Sequence, residues 1–173
     1  TSHPRLKTAR PWARGRAVFR YEGAGRRFVL AVKHGDRQDL VPQAGQWLAA
    51  AAGDLLAPDT VIAPIPLHWR RRVARRFNQS ALLAQGMARA LGRKAVPDVL
   101  CRPSATAMLD GASRKERFAI LQGAIKASPG NEAALAGRPV LLVDDVKTTG
   151  ATLAVAAEAC QSEGASRVDV AVL

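Results

Sequence analysis

The run from Val140 to Leu153, Val-Leu-Leu-Val-Asp-Asp-Val-Lys-Thr-Thr-Gly-Ala-Thr-Leu, constrains the fold more than any other stretch. Four apolar residues, two of them β-branched, read as a buried strand. It stops on adjacent carboxylates, Asp144 and Asp145, and the hydroxyl-rich turn Thr148-Thr149-Gly150-Ala151-Thr152 then opens an alanine-rich helix. A strand running straight into a helix points to an α/β layered fold, and the junction carries chemistry of its own. A helix N-terminus offers N–H groups and a partial positive charge that suit a phosphate. Gly150 lets the backbone come close. Paired aspartates are wrong for phosphate but accept hydrogen bonds from vicinal hydroxyls. The combination therefore suits a ribose held by Asp144 and Asp145, with its 5′-phosphate in the threonine turn. The plain alternative is an ordinary strand–loop–helix with surface acids.

Length and charge bound the rest. With 173 residues the chain is expected to form one core. No apolar run approaches a membrane span, and the basic N-terminus has no apolar leader segment, so a cytoplasmic protein is expected. Cys101 and Cys160 make neither a zinc site nor a disulfide framework and read as reduced, structural thiols. The formal net charge of +12 is concentrated. Residues 1–37 carry ten Lys or Arg against two acids, and Arg70, Arg71, Arg72, Arg75 and Arg76 form a second cluster. Such clusters attract polyanions, either nucleic acid or a small polyphosphate, and otherwise serve as solvated faces.

Taken in order, residues 1–16 read as a basic arm or linker remnant, and Ala17–Tyr21 as a short strand. Arg26–His34 reads as a short helix ended by Gly35, so that residues 17–37 form a small N-terminal hood over the main domain, 17–173. A helix from about Asp39 to Leu56 is expected to break or bend near Pro42. Val61–Leu67 is a buried strand running into the Pro64-Ile65-Pro66 corner. The basic loop His68–Gln79 follows, then a helix from about Gln79 to Leu91 with Asn78 as its N-cap and Gly92 at its end. A basic loop between a strand end and a helix N-terminus is where a second phosphate group can be held, with Pro66, Arg70 and Arg75 as contacts. Ala95–Leu100 and Ala124–Ala127 read as strands around a long loop, Ala151–Glu163 as a helix closed by Gly164, and Arg167–Leu173 as a last strand. Strands near 61, 96, 124, 140 and 167 with helices between them predict a mostly parallel sheet flanked by helices. Its ligand belongs at the carboxyl edge.

On these residues the Val140–Leu153 run resembles the phosphoribosyl pyrophosphate (PRPP) motif of type I phosphoribosyltransferases. The elements match in order: an apolar strand, two acids, two intervening positions, and a Thr-Thr-Gly-x-Thr phosphate loop. Lys147 departs from the apolar residue usual at the second intervening position. Thr148 stands where purine-salvage enzymes carry an aspartate that handles the base, which argues against a hypoxanthine or guanine enzyme. The proline-rich strand end, the arginine cluster and Arg75-Arg76-Phe77-Asn78-Gln79 further resemble the ComF family, phosphoribosyltransferase-like proteins linked to DNA uptake in competent bacteria and related to the so-called GntX proteins. Lys33-His34-Gly35-Asp36-Arg37 fits as well. Arg76 replaces a glycine common in that family, and the family's usual N-terminal zinc ribbon is not within these residues, as expected of a trimmed stretch or a variant without it.

The resemblance implies a type I phosphoribosyltransferase-like fold and a phosphate loop of Lys147, Thr148, Thr149, Gly150, Ala151 and Thr152. It also implies Mg²⁺ carried by PRPP, with no direct protein ligand, and reaching Asp144 and Asp145 through water. In type I transferases a loop corresponding to Arg102–Ala124 closes over the substrate, and here Arg114 and Arg117 are the expected pyrophosphate contacts. The family's glutamine and asparagine in this loop align with Leu109 and Ile120. Three readings stay open: a phosphoribosyltransferase, a non-catalytic PRPP- or nucleotide-binding regulator, and a nucleic-acid-binding competence factor that reuses the sugar-phosphate site. Competence-machinery proteins are the partners that the resemblance implies.

Overall fold

The computed structural model describes residues 10–33, 37–67, 78–103, 123–146 and 149–173. In chain order they form β1 (Gly15–Ala17), α1 (Gly23–Lys33), α2 (Val41–Ala52), β2 (Val61–Pro64) and α3 (Gln79–Ala90). They continue as β3 (Leu100–Cys101), β4 (Lys126–Ala127), β5 (Pro139–Asp144), α4 (Ala151–Ser162) and β6 (Arg167–Val172). The main sheet has the order β1-β6-β5-β2, every pairing in it parallel. This is an α/β fold with a mostly parallel sheet, as the strand and helix spacing predicts.

Parallel strands are stable where helices cover both faces of the sheet, and the side-chain alternation here serves two cores. Val61, Ala63, Ile65, Val140, Leu142, Val168, Val170 and Val172 pack on one face against Leu153, Val155, Ala156 and Cys160 of α4. Ile62, Leu141, Val143 and Ala171 face the other way. There they meet Val29 and Val32 of α1, Ala44 and Leu48 of α2, and Leu83 and Met87 of α3. Burial pushes the Cys160 thiol up to about 12, so it stays protonated and inert at neutral pH. Cys101 is likewise free and half-buried.

Four local expectations change. Pro42 does not bend a helix; a 3-10 turn at Gln38–Leu40 leads into α2, and Pro42 sits in its first turn, where a missing N–H breaks no intrahelical bond. The segment after Gly92 adds only a parallel bridge, Ala95 beside Ile62, with Val96 N donating to Ile62 O at 2.8 Å. Pro97 has no N–H to continue the ladder. Lys126–Ala127 pairs antiparallel with Leu100–Cys101 in a separate two-stranded ribbon instead of edging the main sheet. Residues 10–17 lie against β6. Trp12 is buried, and the buried Asp169 carboxylate accepts from Arg14 N (3.0 Å), Arg14 Nη2 (3.3 Å) and Arg167 Nε (3.0 Å). A long-range ion pair of this kind has no local sequence signal. The following segment packs on the sheet through Val29 and Val32, and Phe19, Phe28 and Trp47 cluster with ring centroids 5.0 to 5.6 Å apart.

Helices α2 and α3 cross at glycines. A Cβ on Gly45 would lie 2.4 Å from the Gly86 carbonyl carbon, whereas one on Gly86 would meet Val41 O at 3.1 Å. Gly45→Ala is therefore expected to lower the unfolding free energy by about 3 kcal/mol, because backbone must move away from backbone. Gly86→Ala should cost less than about 1 kcal/mol, since its milder contact is offset by alanine's better helix propensity. Urea denaturation of the two variants measures the difference, and equal losses would contradict the crossing geometry.

Candidate functional site: a carboxylate pair and a helix N-terminus at one sheet edge

The strand register sets the site. Pro64 lies beside Val143, and Asp144 beside Val172, so β2, β5 and β6 finish nearly level at the carboxyl edge. One more backbone bond, Ile65 N to Val143 O at 2.9 Å, carries β2 into its proline corner, where Pro66 is buried. Asp144 ends β5 and Asp145 follows it directly, both half-buried.

Asp144 is fixed by its neighbours. Its Oδ1 accepts the Ser80 hydroxyl at 2.8 Å and the Asp145 N–H at 2.9 Å. Ser80 stands in the first turn of α3, which opens as its sequence suggests: the Asn78 side chain accepts from Ser80 N at 3.1 Å and caps the helix. The same carboxamide donates from Nδ2 to Ile65 O at 3.1 Å. One side chain thus joins the end of β2 to the start of α3, and the next but one joins α3 to Asp144.

The turn after β5 ends at Gly150, which caps α4 with a left-handed backbone, φ 78° and ψ 7°. Only glycine adopts that conformation without strain. Thr149 Oγ1 accepts from Ala151 N at 3.3 Å, and Gly150 O accepts from Ala154 N at 2.9 Å, which starts the helix. Ala151 is buried and Thr152 half-buried. The N-terminus of a twelve-residue helix therefore follows the carboxylate pair directly, and its positive end suits an anion.

Among the expected site residues, Asp144, Asp145, Pro66, Thr149, Gly150, Ala151 and Thr152 thus gather at the end of β2 and the β5–α4 junction. Arg70, Arg75, Arg114, Arg117, Lys147 and Thr148 lie outside the described residues, as do His68, Leu109 and Ile120. Ser80 was missed by sequence reasoning. Its only sequence cue is its position directly after the Asn-Gln pair, and it is 64 residues from its partner. Among the described residues no group of three or more His, Cys, Asp or Glu forms a metal cluster. Two adjacent carboxylates are hard oxygen donors that fit a Mg²⁺ ion brought in by a polyphosphate and met through water. Among the described residues no helix is long and apolar enough to cross a membrane.

A parallel sheet whose carboxyl edge joins an Asp-Asp strand end to a glycine-capped helix N-terminus defines a phosphoribosyltransferase-type domain. The chain belongs to that family, and the sequence profile of the phosphoribosyl transferase domain matches residues 78–173. Within it the chain is ComF-like, as its similarities show. It is 31% identical over 171 residues to the DNA utilization protein YhgH of Escherichia coli O6:H1, covering 95% of this chain and 73% of that one. The YhgH of Salmonella typhimurium is 31% identical over 181 residues, covering 98% and 78% of the two chains. Competence protein F of Haemophilus influenzae is 34% identical over 117 residues, covering 67% of this chain and 50% of that protein.

Asn78→Ala removes the cap of α3 and the tie to Ile65 together. A stability loss of about 1–2 kcal/mol is expected, read by thermal unfolding. Asn78→Asp should recover part of it, since a carboxylate still caps but cannot donate to Ile65 O.

Proposed function

We propose that this protein binds PRPP with Mg²⁺ and works as a PRPP-dependent phosphoribosyltransferase-like protein in the cytoplasm, associated with DNA uptake and its protein machinery. One observation carries the reading: two half-buried carboxylates at the end of β5 lead within six residues into a glycine-capped helix N-terminus. Carboxylates accept from the ribose hydroxyls, and the helix end with Thr149 and Thr152 holds the 5′-phosphate. The names of its YhgH and competence relatives support the link to DNA. Where transfer occurs, the bond from the ribose carbon to pyrophosphate breaks and the ribose carbon becomes cationic. Arg70, Arg75, Arg114 and Arg117 are assigned by family resemblance to offset the charge that collects on pyrophosphate. Bound Mg²⁺ would supply charge neutralisation on the same leaving group.

Calorimetric titration with PRPP and Mg²⁺ tests this. Saturable binding is expected, and Asp144→Asn combined with Asp145→Asn should weaken it at least about a hundredfold, as the loss of two charged hydrogen-bond acceptors implies. No binding by the unaltered protein would refute the reading.

A second reading, nucleic-acid binding, is favoured by one surface. Val18 N donates to Val172 O at 3.0 Å, so the chain after β1 leaves at the same sheet edge as Asp144. Tyr21, three residues further on, is 47% exposed, with the Arg26 guanidinium 5.9 Å from its ring centre, and Arg20 and Arg27 nearby in sequence are exposed. An exposed ring among arginines suits a stacked base on a single strand. Affinity for a single-stranded oligonucleotide should fall steeply with salt. Tyr21→Ala should lower it about tenfold, measured by fluorescence anisotropy, and an unchanged affinity would remove this reading.

A further inference from the structure

We infer that Ser80 is a positioning residue of the ribose site, acting through Asp144 and not by touching the ligand. The inference rests on the PRPP reading and deepens it. Ser80 is only 5% exposed, and its hydroxyl donates to a carboxylate oxygen at 2.8 Å, a charge-assisted bond. The torsion that turns a carboxylate is soft, with a broad and nearly two-fold profile, so the plane of Asp144 is not set by its own rotamer. Oδ1 takes donors from two directions that restrain this plane: the Ser80 hydroxyl on α3 and the Asp145 N–H on the chain that follows β5. Ser80 in turn is located by Asn78, which accepts its N–H at 3.1 Å and donates to Ile65 O at 3.1 Å.

The orientation of Asp144 is thereby referenced to the ends of both β2 and β5. Ribose recognition through vicinal hydroxyls is directional, so a carboxylate held in one plane presents its acceptor geometry before the sugar arrives. Releasing that plane makes the ligand bear the cost of ordering it. A purely structural hydroxyl would affect every ligand of the domain alike. A positioning hydroxyl should affect ligands that carry the ribose and spare those that do not.

The experiment titrates PRPP with Mg²⁺, and separately inorganic pyrophosphate without Mg²⁺, into the unaltered protein, Ser80→Ala and Ser80→Thr. Ser80→Ala is expected to weaken PRPP binding about tenfold, as loss of a hydrogen bond to a charged group implies. Its affinity for metal-free pyrophosphate should stay within about twofold of the unaltered protein, since that ligand brings neither ribose hydroxyls nor a hydrated Mg²⁺ to Asp144. Ser80→Thr keeps the hydroxyl and should restore most of the PRPP affinity. Equal PRPP affinity in Ser80→Ala and the unaltered protein overturns the inference. Parallel loss of PRPP and pyrophosphate also overturns it, assigning Ser80 to folding instead. Absence of PRPP binding in the unaltered protein is a separate result, which removes the parent reading and this inference with it.

Discussion

Parallel pairing of β2, β5 and β6, with both faces of the sheet buried, is the constraint on which the rest depends. A parallel ladder is slanted and slightly weaker per residue than an antiparallel one, so it persists where helices cover both sides. The alternation of β5 meets that demand, with Val140 and Leu142 in one core and Leu141 and Val143 in the other. Once the register is fixed, geometry follows. Strand ends that finish level, at spacings of about 4.8 Å, bring the proline corner after β2 and the aspartates at the end of β5 to one edge. The helices after them start there too, with their positive ends at that edge.

The polar groups at that edge are ordered in series. Asn78 answers to Ile65, Ser80 to Asn78, and Asp144 to Ser80, each link near 3 Å. The chain of bonds carries a reference from one strand end, through a helix cap, to another strand end without leaving the first turn of α3. The aspartate pair is thus part of the framework as well as part of the site. The Gly150 turn is ordered by its own backbone conformation and the Thr149 cap.

What the sequence disclosed follows the distance over which each feature is encoded. The stretch from Val140 to Thr152 was legible because its strand, acids, glycine and helix are contiguous, and Asn78 because a cap acts two residues away. Gly92 and Gly164 marked helix ends for the same local reason, and both have a positive φ. The tie between Ser80 and Asp144 was not legible, nor was the one between Arg14 and Asp169, which are 155 residues apart. Nothing near either residue announces its partner. Gly45 and Gly86 are where two helices touch, a fact held by neither helix alone. Pro42 was ambiguous because the same residue bends a helix in its interior and begins one at its start, and tertiary packing decides which.

Among the described residues the first and last strands are neighbours and run in the same direction, β1 beside β6 in register from Gly15 with Val170 to Ala17 with Val172. Tension pulling residues before β1 away from Leu173 would load that pairing along its length, so that its bonds share the force instead of parting one after another. The Asp169 clamp to Arg14 stands at the loaded end of the seam, where it would resist the first slip. Under pulling, the lifetime of such a fold is set by an unfolding rate, not by its equilibrium stability.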